Sequence, residues 1–417
     1  MKMLKQISWS LLLVLFVGFT ACHKDGNDDK TETTDEVLVS STLATSLSQS
    51  FIQSALTLLE NQYPDASGLT SFVQSGVNVY KVTYKTTFEG EELIASGLIA
   101  VPAASGEYPL LSFQNGTNVL YSDAPSKNYA FNPDDPENTT VVLECMASLG
   151  FVVVIPDYPG FGSSESVFHP YLEKENTLPS LTDMITGASE LMAKDEIEAK
   201  LSGDLFLAGY SQGGWSTMQL LKEIDQNPMT GFDLKAASCG AGPYNLSQMN
   251  SIVLGKDTYP MPYYFAYLLQ AYELHGLITN PLSDMFADSY ASAIPGLFDF
   301  ETSGGEINAA LTTDISALFK ADYISGYSSD SQYASVKSAL SGNSITAWNL
   351  STPTMLFHGD ADNYVPIEIS EDFITDFRSI GVSESMISLT KLEGEDHSGG
   401  VLPFGLKTVA WFLSLED

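Results

Sequence analysis

Basic residues are scarce in this chain: 18 lysines and arginines stand against 52 aspartates and glutamates, for a formal net charge of −34. Arg378 is the single arginine. Binding nucleic acid requires a basic surface that neutralises phosphates, so this composition argues against it. Attraction to anionic lipid headgroups is disfavoured for the same reason. The acidity favours solubility and says little about substrate. Cysteine is equally sparse, at three residues: Cys22, Cys145 and Cys239. Their spacing matches no metal-ligand pattern, and no metal is expected. No apolar run is suited to spanning a bilayer, because Leu11–Val17 is too short. No internal repeat is visible.

That short run instead sits where a targeting signal would place it. Lys2 and Lys5 form a positive leader, Leu11–Val17 an apolar centre, and Phe19-Thr20-Ala21-Cys22 a small-residue end. The end resembles a bacterial lipobox, in which the cysteine is lipidated and becomes the new N-terminus. Residues 1–22 are therefore expected to be a lipoprotein signal, with Cys22 the lipid attachment site and the cell envelope, periplasmic or surface-facing, the location. Residues 23–42 begin polar and charged, cannot bury a core, and read as a flexible tether. Cys145 and Cys239 fall in an apolar helical stretch and a strand, which favours buried free thiols over a bridge.

From there the pattern alternates. An amphipathic helix is expected over Leu43–Glu60. Val77–Thr87 alternates apolar and polar residues like a half-buried strand, with Leu93–Val101 as its antiparallel partner across a turn at Glu89-Gly90-Glu91. Further strands are expected at Tyr108–Phe113, Phe151–Ile155, Asp204–Ala208, Leu234–Cys239, Thr354–Phe357 and Met386–Leu392. The run Phe151-Val152-Val153-Val154-Ile155 is apolar throughout, as in a strand buried on both faces. Helices are expected over Val141–Leu149 with Gly150 as C-cap, Leu181–Lys194, Ile367–Ser379 and Leu402–Leu415. Alternation of strand and helix implies an α/β fold, with a mostly parallel central sheet and helices on both faces. The stretch 246–348 breaks the rhythm, being helical and aromatic, and reads as an insertion between the core segments 43–245 and 349–417.

Gly209-Tyr210-Ser211-Gln212-Gly213 fits G-x-S-x-G between a strand, Leu205-Phe206-Leu207-Ala208, and a helical run. A sharp strand-to-helix turn lifts a serine hydroxyl clear of the sheet, and flanking glycines let neighbouring backbone pass. The helix N-terminus beneath it favours an oxyanion. Ser211 is therefore the expected nucleophile. On such an elbow the acid and then the histidine follow in the chain. Among His275, His358 and His397, only His397, in Glu395-Asp396-His397-Ser398-Gly399-Gly400, comes after a candidate acid and sits in a loop able to reach back. It is the expected general base. Two carboxylates compete in His358-Gly359-Asp360-Ala361-Asp362-Asn363-Tyr364-Val365-Pro366. Asp360 directly follows the strand and suits turn hydrogen bonds, so Asp362 is the expected acid. Two backbone donors are needed for an oxyanion: Gln212 N–H directly after the serine, and Thr117 N–H from Gln114-Asn115-Gly116-Thr117. His169 precedes the serine and is read as structural.

These motifs together, G-Y-S-Q-G-G, G-D-A-D-N-Y-V-P and D-H-S-G-G, resemble the α/β-hydrolase superfamily. Ala95-Ser96-Gly97-Leu98, Gln114-Asn115-Gly116-Thr117, the segment Gly150–Gly162 and His169-Pro170-Tyr171-Leu172 resemble secretory lipases and related bacterial esterases, which usually carry histidine where Asn115 stands. The resemblance implies hydrolysis of carboxylic esters with a helical lid inserted after the sixth strand, and no cofactor. Tyr264 and Phe265 of the aromatic segment Tyr259–Leu269, with Tyr210, are the expected substrate-binding residues, for small-molecule esters of short to medium acyl chain. A serine peptidase of the same fold is the competing enzyme. A large gating domain, which oligopeptidases need, does not fit between the tether and the first strand. A non-catalytic binding lipoprotein would have no use for an intact serine, acid and histidine set.

Overall fold

Valine, isoleucine and leucine runs too short for helices and too apolar for loops build the centre of the molecule. The computed structural model describes residues 36–63, 66–129 and 139–416. Cys22, the expected signal 1–22 and the first part of the expected tether lie outside them. Among the described residues, strands β1 (Leu38–Leu47), β2 (Val77–Phe88), β3 (Glu91–Pro102), β4 (Gly106–Gln114), β5 (Val152–Pro156), β6 (Ala199–Tyr210), β7 (Asp233–Gly240), β8 (Thr354–Gly359) and β9 (Ile387–Leu392) form one sheet. Their order is β1-β2-β3-β5-β4-β6-β7-β8-β9. The first three are antiparallel neighbours, β3 also runs antiparallel to β5, and the rest are parallel. Every residue of β5 is buried, as a strand covered on both faces requires. The β2–β3 turn places Glu89 (φ 51°) and Gly90 (φ 83°) in the left-handed region, the geometry that matches the twist of a two-residue hairpin.

Helices α1 (Gln49–Gln62), α2 (Thr139–Met146), α3 (Lys174–Met192) and α4 (Gln212–Gln226) come from the first core segment. Between β7 and β8 lie α5 (Leu246–Leu254), α6 (Pro262–Leu274), α7 (Leu282–Met285), α8 (Asp288–Leu297), α9 (Gly304–Ala310), α10 (Ile315–Leu318), α11 (Ala321–Gly326) and α12 (Ala334–Asn343). Helices α13 (Glu368–Ser379) and α14 (Val401–Glu416) follow β8 and β9. The inserted helices dock on α4: the Trp215 Nε1–H donates to the Asn343 carbonyl at 3.0 Å, and Trp348 Nε1–H to Asp225 at 2.8 Å. Cys145 and Cys239 are buried free thiols, and burial pushes the Cys145 thiol up to about 12.

Two expectations need correction at the N-terminal end. The tether does not extend to residue 42, and no helix begins at Leu43. Leu38–Leu47 is an edge strand paired with β2, and the backbone N–H groups of Leu38 and of Val37 just before it donate to Glu190 at 2.6 and 3.0 Å. The strand buries only one of its residues, Leu38, so it carries little apolar periodicity. The helix starts only after Ser48, whose hydroxyl caps the Phe51 N–H. Helix α3 also begins earlier than Leu181, taking Pro179 inside it.

The sheet order fixes where chemistry can happen. Strand β4 sits between β5 and β6, so the chain leaves its carboxyl end on one side and returns on the other. A crevice opens at the strand carboxyl ends at such a reversal. Gln114 of β4 is level with Gly209 of β6, which brings the loop after β4 beside the Ser211 turn.

Candidate active site

Ser211 stands between β6 and α4 at φ 61° and ψ −121°, a conformation disfavoured for any residue with a Cβ. Its N–H donates to the Gly240 carbonyl at 2.8 Å, which ties the turn to the next strand. The tight approach explains the glycines. A Cβ on Gly213 would lie 1.9 Å from the Gln114 carbonyl oxygen, and one on Gly209 would lie 2.4 Å from the Gly213 carbonyl oxygen. The helix therefore rests directly on the loop after β4.

Three side chains converge on the crevice from separate strands. His397 Nε2 is 2.9 Å from Ser211 Oγ, and His397 Nδ1 is 2.6 Å from Asp362 Oδ2. The other Asp362 oxygen accepts the N–H groups of Tyr364 and Val365 at 2.8 and 2.9 Å. The Asp362 side chain has no solvent exposure. Burial alone would raise its pKa, but hydrogen bonds from His358 and His397 outweigh burial and hold it well below the usual carboxylate range. The group is thus a buried anion aimed at an imidazole. Asp360 lies elsewhere, accepting the Gly394 N–H at 2.7 Å, and stays exposed.

Above the serine is a narrow cavity of about 30 Å³, whose lining includes Tyr171, Gln212, Met249, Tyr264, Phe265 and Leu268. Tyr264 and Phe265, both on α6, thus line the cavity beside Ser211. Gln212 is the first residue of α4, so its N–H has no partner within the helix. The Thr117 N–H likewise makes no hydrogen bond among the described residues. Its loop passes the elbow closely, since a Cβ on Gly116 would lie 3.7 Å from the Tyr210 carbonyl oxygen. The Asn115 amide holds this loop by donating to the Pro156 carbonyl at 2.9 Å.

Tyr210 departs from expectation. Its side chain is not among those lining the cavity. It packs on Phe404, donates its hydroxyl to the His397 carbonyl at 2.9 Å, and so supports the histidine loop from behind. A residue directly before the nucleophile points to the opposite side of the sheet from it, and the alternation of a strand would have said so. Two buried histidines also border the site, His169 in the structural part expected of it and His358 with no part expected. His169 Nδ1–H donates to the Pro159 carbonyl, which leaves Nε2 to accept from the Gln212 side-chain amide at 2.8 Å. Full burial pushes its pKa down to about 4. His358 reaches Asp362 itself, at 3.2 Å. Only its i, i+4 spacing to Asp362 hinted at this.

The parallel sheet with its antiparallel start, the elbow on α4 and the helical insertion over the strand carboxyl ends decide the fold. It is the α/β-hydrolase fold. The prolyl oligopeptidase family matches residues 138–247 of this hydrolase, the stretch that contains the elbow. A putative hydrolase from Legionella pneumophila is 27% identical, covering 92% of this chain and 99% of its own, with a TM-score of 0.79. The rice cell wall degrading esterase LipA from Xanthomonas oryzae is 25% identical over 91% of this chain and 97% of its own, with a TM-score of 0.74. Candida antarctica lipase A in its closed state shares the fold at 16% identity, covering 91% of this chain and 81% of its own, with a TM-score of 0.64. No curated protein sequence matches the chain.

Proposed function

We propose that the hydrolase cleaves carboxylic esters of small molecules through an acyl-enzyme. The observation that carries this reading is the unbroken chain Ser211 Oγ–His397–Asp362, at 2.9 and 2.6 Å, beneath an apolar cavity. His397 takes the Ser211 proton as Oγ attacks the ester carbonyl, then returns it to the departing alcohol. Water repeats the sequence and releases the acid. Asp362 holds the imidazole tautomer and stabilises the imidazolium. The N–H groups of Gln212 and Thr117 receive the oxyanion. Tyr264 and Phe265 receive the acyl chain, and short to medium chains are the preferred substrates. The similarity to an esterase over nine-tenths of the chain supports ester rather than amide substrates. Peptide hydrolysis is the second reading, because the prolyl oligopeptidase family matches the elbow segment.

Ser211→Ala should lower ester turnover by at least about a thousandfold without unfolding the protein, and should abolish labelling by a fluorophosphonate. A panel of p-nitrophenyl esters of graded length, beside the matching anilides, separates the two readings: faster anilides would overturn the first. We further propose lipid attachment at Cys22 in a bacterial envelope. Cys22→Ala should then move the protein out of the membrane fraction with unchanged turnover on soluble esters.

A further inference from the structure

The acid of the candidate triad is shared between two histidines. His358, the penultimate residue of β8, is fully buried, and its Nε2 lies 2.8 Å from the Val365 carbonyl oxygen. A carbonyl only accepts, so Nε2 carries the hydrogen. The same Nε2 is 3.2 Å from Asp362 Oδ2, the oxygen that also faces His397 Nδ1 at 2.6 Å. On the opposite side of the ring, Nδ1 is 2.7 Å from the hydroxyl of Ser370 on α13, itself fully buried. With Nε2 protonated, Nδ1 is the acceptor and the Ser370 hydroxyl donates. The ring is therefore clamped in one tautomer between β8 and α13, and its single N–H, held on the Val365 carbonyl, also lies within reach of the carboxylate, Nε2 being 3.2 Å from Asp362 Oδ2.

We propose that His358 is a positioning residue for the hydrolytic reaction: with Ser370 it fixes the Asp362 carboxylate so that Oδ2 stays on the His397 N–H. Without it, Asp362 keeps the Tyr364 and Val365 donors on Oδ1, and on Oδ2 only His397, the group it has to orient, so the buried carboxylate loses its one fixed contact on that side. Misplacing a catalytic group by a fraction of an ångström costs rate rather than affinity. The inference rests on the triad reading above, and acts wholly through Asp362.

The test is a double-mutant cycle on an acetyl ester. His358→Leu should lower kcat by roughly ten- to a hundredfold with KM little changed, and His358→Gln, which can present an N–H to the same oxygen, should recover most of the loss. In an Asp362→Asn background, His358→Leu should change kcat by less than about twofold, because its effect has no remaining route. If His358→Leu does not fold, Ser370→Ala releases the ring and takes its place in the cycle. Equal losses in both backgrounds, or no recovery with glutamine, would overturn the proposal. Ser211→Ala, run alongside, tells the two claims apart: a dead Ser211→Ala with an additive cycle removes only the role of His358, whereas an active Ser211→Ala removes the triad reading.

Discussion

The two carboxylates Asp360 and Asp362, two residues apart, have opposite surroundings. Asp362 is enclosed by four donors, from His358, His397, Tyr364 and Val365, whereas Asp360 is exposed and caps a turn at Gly394. Asp362→Asn should cost on the order of 10³–10⁴ in kcat, and Asp360→Asn less than about tenfold, because it breaks one exposed hydrogen bond. Steady-state rates on one ester decide between them, and the reverse order would exchange the assignments. His169 carries a stability prediction. Burial lowers its pKa to about 4, below the ordinary value of about 6.5. Between those values the unfolded chain takes up a proton that the folded protein refuses. Its contribution is therefore complete above the higher value and falls away as the pH drops through the window. From pH 7 to pH 5 the wild type should lose about 2 kcal/mol more than His169→Gln. Urea unfolding at both pH values measures the difference.

At the scale of elements, α6 joins the insertion to the site. Tyr264 and Phe265 both face the cavity, but they are not equal probes. Phe265 is 4% exposed and packs edge-on against Tyr259 and Phe319, so its truncation removes core contacts as well. A Phe→Ala change at such a position costs about 3–5 kcal/mol. Tyr264 is half-buried, and Tyr264→Ala should leave the fold standing while shifting the ester-length optimum by one or more methylenes. Each methylene accommodated is worth about 0.8 kcal/mol at most, so the profile should change by up to roughly fourfold per carbon. A uniform drop across all esters would assign Tyr264 a purely structural part. Helix α6 is also pinned at its far end. Tyr272 donates to the Leu172 carbonyl, and His275 meets Glu173 at 2.6 Å, both buried. None of this follows from the helical periodicity of the insertion, since the partners lie about a hundred residues away in the chain.

For the molecule as a whole, Glu36–Asp417 forms one compact unit. A chain begun at Glu36 should fold with a melting temperature within about 2 °C of the full chain and with the same turnover, since the sheet and both Glu190 contacts remain. A chain begun at Ser48 loses β1, uncovers the outer edge of β2 and leaves Glu190 without its backbone donors. Edge removal exposes unpaired backbone to aggregation, so this version should melt lower and aggregate sooner in a thermal scan.

The covalent order of residues by itself determined the α/β class, the strand-to-helix elbow, and the choice of Ser211 and His397 as the candidate pair that the fold brings within 2.9 Å. These are local matters: buried parallel strands write themselves as apolar runs such as Phe151–Ile155, and the strand–glycine–serine–glycine–helix sequence can close in few ways. Tertiary structure alone decided the rest. Strand β1 was hidden because an edge strand with exposed side chains needs no apolar pattern, only the hydrogen-bonding edge of β2. Tyr210 turned away from the cavity because Phe404 and the His397 loop fill the space behind the elbow. His169 and His358 acquired their parts from burial and from single nitrogen-to-oxygen or nitrogen-to-nitrogen distances, which are properties of packing between segments remote in the chain. The carboxylate that faces His397 was legible as a choice between two neighbours. Only the enclosure of one by donors from β8, the following loop and the loop after β9 separates them, because a carboxylate remains charged in the interior only where such donors converge.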